Sequence, residues 1–246
     1  MSEIIENPWT RLRSFTGARL ALGRAGDSLP TREVLEFGLA HAQARDAVHH
    51  ALNTEALTLD IAAQCLESIT VQSAAQDRAE YLRRPDLGRK LNAESHSRLT
   101  SLSKCDLVFI VADGLSAIAP EHHAIPMLQQ MKHTLESWQI APVIIATQAR
   151  VALGDEIGEL LKAEMTVMLI GERPGLSSPD SLGIYLTYDP RVGRTDADRN
   201  CISNVRPEGL SYEAAAHKLY HLMLAAHKIG HSGVALKDES DQLRLS

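Results

Sequence analysis

Two apolar segments of strand length flank a short charged loop between residues 167 and 186. The first segment, VMLI, stops at Gly171, a Pro-Gly pair turns the chain after Glu172 and Arg173, and the second segment begins at Leu182. An isolated charged turn is usually a solvated connection. In an open α/β sheet, however, ligands bind at the carboxyl ends of the strands. The segment therefore predicts two strands and marks the charged pair between them as a candidate ligand contact.

The chain from residue 104 onward alternates between apolar segments of strand length and longer segments with helical periodicity. Strands are predicted at 106–112, 143–147, 167–170 and 183–187, and helices between Gly114 and Trp138, around 153–161 and over 211–230. Residues 189–205 read as a polar connection. The alternation predicts an α/β fold that is Rossmann-like, with a mostly parallel sheet and helices on both faces. The loops DGLS, QARV and GERPG each follow a strand and should meet at one sheet edge.

Residues 1–101 are predicted to form a mainly helical N-terminal region, and residues 102–246 the α/β domain. Apolar residues recur at helical spacing from Val34 to Ala42 and indicate an amphipathic helix. A short strand is expected at 69–71. The GRAG string that begins at Gly23 is a weak phosphate-loop signal, because glycines three apart with a single arginine more often form a tight turn with positive φ.

Composition excludes several classes of partner. The 246 residues carry a formal charge of −6 without a long run of either sign, which argues against nucleic acid and anionic membranes. No apolar stretch approaches the roughly 20 residues that cross a bilayer, and the first residues do not read as a signal peptide. Cys65, Cys105 and Cys201 are an odd number at wide spacing, which is typical of reduced thiols. We expect a cytoplasmic protein without a structural zinc.

Familiar catalytic and phosphate-binding motifs are absent from the sequence. There is no GxGxxG after the first strand of the alternating region, and no GxxxxGKS/T, GxSxG or DxHxxG. Asp113 and Glu172 could serve as general acid and base only if the fold brings them together, which their spacing does not decide. From its residues alone, the chain is an α/β ligand-binding protein without a self-sufficient catalytic set.

Two groups of histidines raise the question of a metal site. His217 and His221 are four residues apart on the last predicted helix, but they lie opposite its apolar face, where solvated side chains are the better interpretation. His122 and His123 follow Glu121 directly. Neighbouring residues on a helix point apart, and spacing identifies no third ligand. The prediction is that the chain has no metal ligands.

Five strings of the sequence resemble one protein family. GRAG at 23–26, RPDLGRKL at 84–91, VADGLS at 111–116, GERPGL at 171–176 and DRNCISN at 198–204 occur in this order in the small chain of ethanolamine ammonia-lyase. The similarity runs from about Asn7 to the final helix and so covers nearly the whole chain. Several of the strings are long and unlike common motifs, and on them the chain is identified as a member of that family.

The resemblance implies an adenosylcobalamin enzyme built from two chain types in a hetero-oligomer. In that family the large subunit supplies the catalytic groups, and the cobalamin lies between the chains with its own base on cobalt, which fits the missing DxHxxG. The family's cobalamin contacts on the small chain correspond here to Val151, Glu172 and Cys201. A corrin needs apolar contact and a few polar partners, which these residue types can offer. No catalytic residue is expected on this chain.

The reaction implied is the radical deamination of ethanolamine to acetaldehyde and ammonia. Homolysis of the cobalt–carbon bond gives a 5′-deoxyadenosyl radical, which takes hydrogen from the substrate carbon that bears the hydroxyl. Arg173 is expected to orient Glu172 or to pair across the chain interface. The expected location is cytoplasmic. Association with a bacterial microcompartment is the second expectation, although the long N-terminal extension linked to packaging in some members does not precede Asn7.

Two other functions stay open from the residues themselves. One alternative is a free-standing α/β ligand-binding regulatory protein, which the missing phosphate loops disfavour if the ligand is a nucleotide. The other is a structural adaptor whose sheet edge contacts only protein. For Cys201 the ordinary alternative is a small buried side chain without a ligand.

Overall fold

The computed structural model describes residues 4–5, 7–100, 104–132 and 134–240. Its strands are β1 (Ile4–Ile5), β2 (Arg24–Ala25), β3 (Ser68–Gln72), β4 (Leu107–Ala112), β5 (Val143–Thr147), β6 (Met165–Gly171), β7 (Leu182–Tyr188) and β8 (Arg199–Val205). Its α-helices are α1 (Thr31–His49), α2 (Thr54–Ala63), α3 (Arg78–Arg83), α4 (Ala93–Leu99), α5 (Ile118–Lys132), α6 (Leu153–Leu160) and α7 (Tyr212–Ile229). Short 3-10 helices cover Pro8–Phe15, Leu87–Arg89, Asp196–Asp198 and Gly233–Ala235. Within the described ranges, no helix is long and apolar enough to cross a membrane.

The fold is built on one open sheet with the strand order β3-β5-β4-β6-β7-β8. The first four of these strands are mutually parallel, whereas β7 runs antiparallel to β6 and β8 antiparallel to β7. β8 therefore points the same way as the parallel strands, and its carboxyl end lies at the same sheet edge as theirs. The predicted α/β class with a mostly parallel sheet is confirmed.

Side chains of the central strands alternate between two cores, one on each face of the sheet. Along β4, one core takes Leu107, Phe109 and Val111, and the other takes Val108, Ile110 and Ala112. α2, α5 and α7 pack on the first core, and α4 and α6 on the second. Because side chains alternate along a strand, a strand that is covered on both faces must be apolar throughout. Every residue of β4 is buried, so helices cover both faces as predicted.

β8 corrects the prediction that residues 189–205 form a polar connection. It pairs with β7 and places Cys201 opposite Tyr185. Its buried residues are Arg199, Ile202 and Val205. A register shift interrupts its pairing with β7, between Leu182 and Ile184. The antiparallel β7-β8 pair thus extends the parallel sheet at one side.

The predicted boundary between residues 1–101 and 102–246 falls on positions outside the described residues. The sheet includes strands from both regions. β3, from the first region, pairs in parallel with β5, from Ser68 opposite Val143 to Gln72 opposite Thr147. The short strand expected at 69–71 is therefore present as a sheet edge. The division into two domains stays a prediction about folding units.

The GRAG string forms a tight turn. Gly23 and Gly26 have φ values of 75° and 62°, and the two residues between them pair with β1. Ala25 N donates to Ser28 O over 2.8 Å and closes the turn. Only glycine takes these left-handed angles without strain, so the turn interpretation explains both glycines.

The apolar face predicted for the first helix is not buried within this chain. α1 forms as expected, but Leu35 is 67% exposed, and its buried residues are Glu33, Ala40 and Ala47. Phe15, in the preceding 3-10 helix, is 80% exposed. We use the name N-terminal apolar surface for the large exposed apolar side chains of this region: Trp9, Leu12, Phe15, Leu29, Val34, Leu35, Phe37 and Leu39.

Candidate functional site

The DGLS and GERPG loops contact each other through their backbones at the carboxyl edge of the sheet. Gly114 follows β4 with a φ of 54°, and Leu115 N donates to Gly171 O over 3.0 Å. A Cβ on Gly114 would meet Gly171 O, and a Cβ on Gly171 would meet Ser116 O, both well under 3.0 Å. Only glycine permits such an approach. Two of the three predicted loops therefore form one unit.

Asp113 joins the third loop, QARV, to this unit. Its Oδ1 accepts from Ala149 N at 2.9 Å and its Oδ2 from Gln148 N at 2.7 Å, and Arg78 Nη1 lies 3.5 Å from Oδ2. Burial raises the pKa of Asp113, and these donors oppose that effect. The residue is only 3% exposed. Asp113 holds the loops together and has no free oxygen to offer a ligand as acid or base.

Tyr81, on α3, lies beneath the loops. Its side chain is fully buried, and its hydroxyl donates to Ala149 O over 3.1 Å. The guanidinium carbons of Arg78 and Arg150 lie 4.7 and 4.3 Å from its ring centroid, within cation–π range. A Cβ on Gly88, within the RPDLGRKL string, would come within 3.0 Å of the Tyr81 ring. That string therefore packs closely against Tyr81 and the QARV loop.

A cleft of about 460 Å³ opens where the three loops meet. Its volume lies within the range of about 300–1,000 Å³ that is typical of small-molecule sites. It is lined by Tyr81, Gly114, Leu115, Arg150, Val151, Ile170, Gly171, Glu172, Arg173 and Tyr185. The structure thus places two of the predicted cobalamin contacts, Val151 and Glu172, in one cleft. Cys201 is not among the lining residues but is the neighbour of Tyr185 on the adjacent strand.

The side chain of Glu172 is held in place by two hydrogen-bond donors, one just before β7 and one in β8. Its Oε2 accepts from Ser181 Oγ and, over 3.2 Å, from Asn204 N. Its Oε1 accepts no hydrogen bond from the described residues. Gly183 leaves the room for this side chain, since a Cβ there would lie 3.1 Å from Glu172 Cγ. The carboxylate is therefore oriented and keeps one oxygen for a ligand.

Two arginines at the cleft have unused donors. Arg173 is exposed and forms no ion pair with any described residue. Glu172 is oriented by Ser181 and Asn204, so the structure does not assign that role to Arg173. Arg150 Nε is buried and has no hydrogen-bond partner among the described residues. A buried donor without a partner costs free energy, and a ligand in the cleft with an acceptor could satisfy it.

Cys201 lies opposite Tyr185, which lines the cleft, on the neighbouring strand. Residues that are paired across strands lie on the same sheet face, and Tyr185 packs on the core beneath α6. Desolvation raises the pKa of the Cys201 thiol, the Tyr185 hydroxyl lowers it, and the charge of Glu172 raises it further. The residue as a whole is exposed, so it is not buried within this chain, and its contact with cobalamin stays a prediction.

A buried ion pair connects the strand of Cys201 to the helix that follows Val151. Arg199 Nη2, at the start of β8, contacts Asp155 Oδ2 in the first turn of α6, and their side chains are 2% and 3% exposed. Arg199 Nη1 also lies 3.3 Å from Asp196 Oδ1, which is fully exposed. The pair sets the position of β8 relative to the QARV loop. All three predicted contacts therefore depend on elements that are connected in the structure.

Sequence reasoning missed Tyr81, Arg150 and Tyr185 as lining residues. Arg150 and Tyr185 lie within segments already predicted as a loop and a strand, so their place at the cleft was open to inference. Tyr81 lies on a helix outside the alternating region. Its only signal is that it stands three residues before the RPDLGRKL string, which packs on it.

Comparison with known proteins identifies the family of the chain. A family model described as ethanolamine ammonia-lyase light chain (EutC) matches residues 6–237. The ethanolamine ammonia-lyase small subunit of Azotobacter vinelandii is 56% identical over 251 residues, which cover 99% of this chain and 93% of that protein. The protein of the same name from Pseudomonas putida (strain W619) is 56% identical over 243 residues, which cover 96% and 89%. The chain belongs to the ethanolamine ammonia-lyase light-chain family.

Proposed function

We propose that this chain is the small subunit of an ethanolamine ammonia-lyase and that it closes an adenosylcobalamin site against a large catalytic subunit. The observation that carries the proposal is the cleft at the carboxyl edge of the sheet. It contains Val151 and Glu172, with Cys201 at its rim. Ligand sites in open α/β sheets lie at this edge.

The residues of the cleft fit the chemistry of a corrin. Val151, Leu115 and Ile170 offer apolar surface to a broad ring, and the free Oε1 of Glu172 can accept from a corrin side-chain amide. The unused Nε of Arg150 can donate to an amide carbonyl or to the phosphate of the nucleotide tail. The cleft is open, so this chain covers only part of so large a cofactor. A second protein surface is needed to complete the site.

Within the complex, this chain's residues bind and orient rather than react. The cofactor, when bound, supplies the radical that removes hydrogen from ethanolamine. Glu172 serves as a fixed acceptor, because Ser181 and Asn204 hold it. Asp113 is fully used in joining the loops. We therefore assign no acid or base of the reaction to this chain.

The N-terminal apolar surface supports the proposed large-subunit partner. Large apolar side chains that stand in water are candidates for burial by a partner, and Phe15 and Leu35 are 80% and 67% exposed. Arg173, exposed and unpaired at the cleft, is suited to a carboxylate of the same partner. We place the assembled hetero-oligomer in the cytoplasm, with microcompartment association as the second possibility.

Acetaldehyde release from ethanolamine tests the proposal directly. Adenosylcobalamin is supplied to this chain alone, to a large subunit alone, and to the two purified together. We expect activity only with both chains. A folded mixture without activity would contradict the proposal and favour the free-standing ligand-binding protein.

Glu172→Gln tests the cleft itself. The variant keeps the shape but removes the charge, and a hydrogen bond to a charged group contributes about 1.5–3 kcal/mol. We expect about 10- to 100-fold weaker cobalamin retention by the complex, while size-exclusion chromatography still shows both chains assembled. Glu55→Gln, on exposed α2 surface, is the matched control and should retain the cofactor. Unchanged retention in Glu172→Gln would favour an adaptor whose sheet edge contacts only protein.

A further inference from the structure

A second cluster of polar side chains includes none of the residues that line the cleft. It consists of His122 and His123 on α5 and Asp180 in the loop between β6 and β7. One ligand atom from each residue lies within 4.8 Å of the other two. The spacing of the sequence identified no third ligand for the adjacent histidines. The fold supplies Asp180, which lies 57 residues after His123 in the chain.

His123 is the central member of this cluster. Its side chain is 5% exposed, and its Nε2 is buried without a hydrogen-bond partner among the described residues. Asp180 Oδ2 faces Nε2 at 3.5 Å, beyond the range of about 2.7–3.2 Å for a hydrogen bond. A buried ring nitrogen and a carboxylate thus face each other at ion-pair distance but without a hydrogen bond. His123 Nε2 is therefore left without a hydrogen-bond partner, and a metal ion shared with Asp180 would provide one.

The distances suit a metal ion between the ligands. Zinc lies about 2.0–2.2 Å from nitrogen and oxygen ligands, so two ligands of a tetrahedral site stand roughly 3.3–3.5 Å apart. Asp180 Oδ2 is 3.5 Å from His123 Nε2 and 3.9 Å from His122 Nδ1. The three ligand atoms lie within 4.8 Å of one another, so the exposed His122 ring must rotate toward the other two ligands to complete the set.

The outer contacts of His123 are those of a metal ligand. Its Nδ1 lies 2.8 Å from the hydroxyl of Tyr212, at the start of α7. Such a partner on the second ring nitrogen fixes the ring and its tautomer, as is usual for histidine ligands.

We propose that His122, His123 and Asp180 bind a divalent transition-metal ion of the zinc type, with a fourth position open to water or to a ligand from another chain. Two imidazoles and one carboxylate form a three-ligand set of this kind. Asp180 belongs to the loop that begins with Glu172, and Ser116 Oγ donates to Pro179 O within that loop over 2.7 Å. The ion would therefore attach the far end of the GERPG loop to α5.

The test is zinc binding by the full chain after treatment with a chelator and dialysis. Isothermal titration and metal analysis should give one Zn²⁺ per chain, and Co²⁺ should give the visible absorption of a low-coordinate site. We expect Asp180→Asn and His123→Gln to lower the Zn²⁺ affinity about 100-fold or more. Tyr212→Phe, which removes only the outer contact, should lower it about 10- to 100-fold.

The control is the double variant His217→Gln with His221→Gln, which removes the other close histidine pair, with rings 4.4 Å apart on α7. Its Zn²⁺ affinity and Co²⁺ spectrum should equal those of the unmodified chain. Circular dichroism establishes that each variant is folded, and Asp180→Asn, at a partly exposed position, decides the question if His123→Gln does not fold. Weak, non-stoichiometric binding, or affinity unchanged by Asp180→Asn, would overturn the proposal.

Discussion

Removing the Asp155 carboxylate should lower the free energy of unfolding by about 3–5 kcal/mol. Asp155→Asn leaves the guanidinium of Arg199 inside the protein, where its side chain is 2% exposed. The remaining acidic partner, Asp196, is fully exposed and lies 3.3 Å away, so water screens it and it compensates little. A buried charge that has lost its buried counter-ion accounts for the size of the effect.

Replacing both partners should have a far smaller effect. Asp155 Oδ1 and Arg199 Nε are buried without hydrogen-bond partners among the described residues, so the pair does not recover its full cost of desolvation. The double variant Asp155→Leu with Arg199→Met fills a similar volume with apolar groups. We expect its stability to lie within about 1 kcal/mol of the unmodified chain, or above it.

Urea unfolding followed by circular dichroism measures these differences, provided that the slope with denaturant is unchanged among the variants. Asp86→Asn is the control, since Asp86 also pairs with an arginine, Arg84, but both side chains are more than half exposed. It should not change the midpoint measurably. Equal effects of Asp155→Asn and Asp86→Asn, or a double variant as unstable as the sum of its single changes, would refute the reasoning.

Two further predictions concern the cleft. The new Cβ in Gly171→Ala would collide with Ser116 O, so the variant should either fold without retaining the cofactor or fail to fold. Circular dichroism measures folding, and a binding assay measures cobalamin retention. Full retention of cobalamin would contradict the packing described. Cys201 should react slowly with iodoacetamide at pH 8, because a raised pKa lowers the thiolate fraction. Glu172→Gln removes a charge that raises the Cys201 pKa and should therefore speed the reaction. Tyr185→Phe removes the hydroxyl that lowers this pKa and should therefore slow the reaction. Rates that change in the same direction in both variants would contradict this explanation.

The parallel strands and their loops were predictable because their signals are local. A strand that is covered on both faces must be a continuous apolar run, and β4 and β5 are such runs. The turn chemistry of Asp113-Gly114 and of the GERPG string then locates the carboxyl edge. From there, geometry alone brings the three loops together.

β8 was missed because its pattern depends on distant partners. Its buried residues are three apart rather than two, since the pairing with β7 is irregular. One of them is Arg199, which is buried only because Asp155 lies opposite it. A charged residue in a sequence predicts a loop rather than a buried strand as long as its ion-pair partner is unknown. Cys201, inside this strand, was accessible only through the family resemblance.

For α1 the sequence predicted the helix but not the burial of its apolar face. Its apolar spacing correctly predicted a helix, but spacing does not say which surface will cover the apolar face. Within this chain Leu35 and its neighbours remain exposed, and α1 buries alanines instead. The spacing thus predicted the helix correctly but not the exposure of its apolar face.

That exposed surface sets a condition on how the chain can be produced. Phe15 and Leu35 stand in water unless another surface covers them, and uncovered apolar surface is an aggregation liability. A cell that synthesises this chain faster than its covering surface must degrade or sequester the excess. Synthesis of the chain and of its partner in equal amounts would avoid this excess of uncovered chain. The same holds at the bench, where the chain should be more soluble when it is co-expressed with the proposed large subunit than when it is made alone and mixed afterwards.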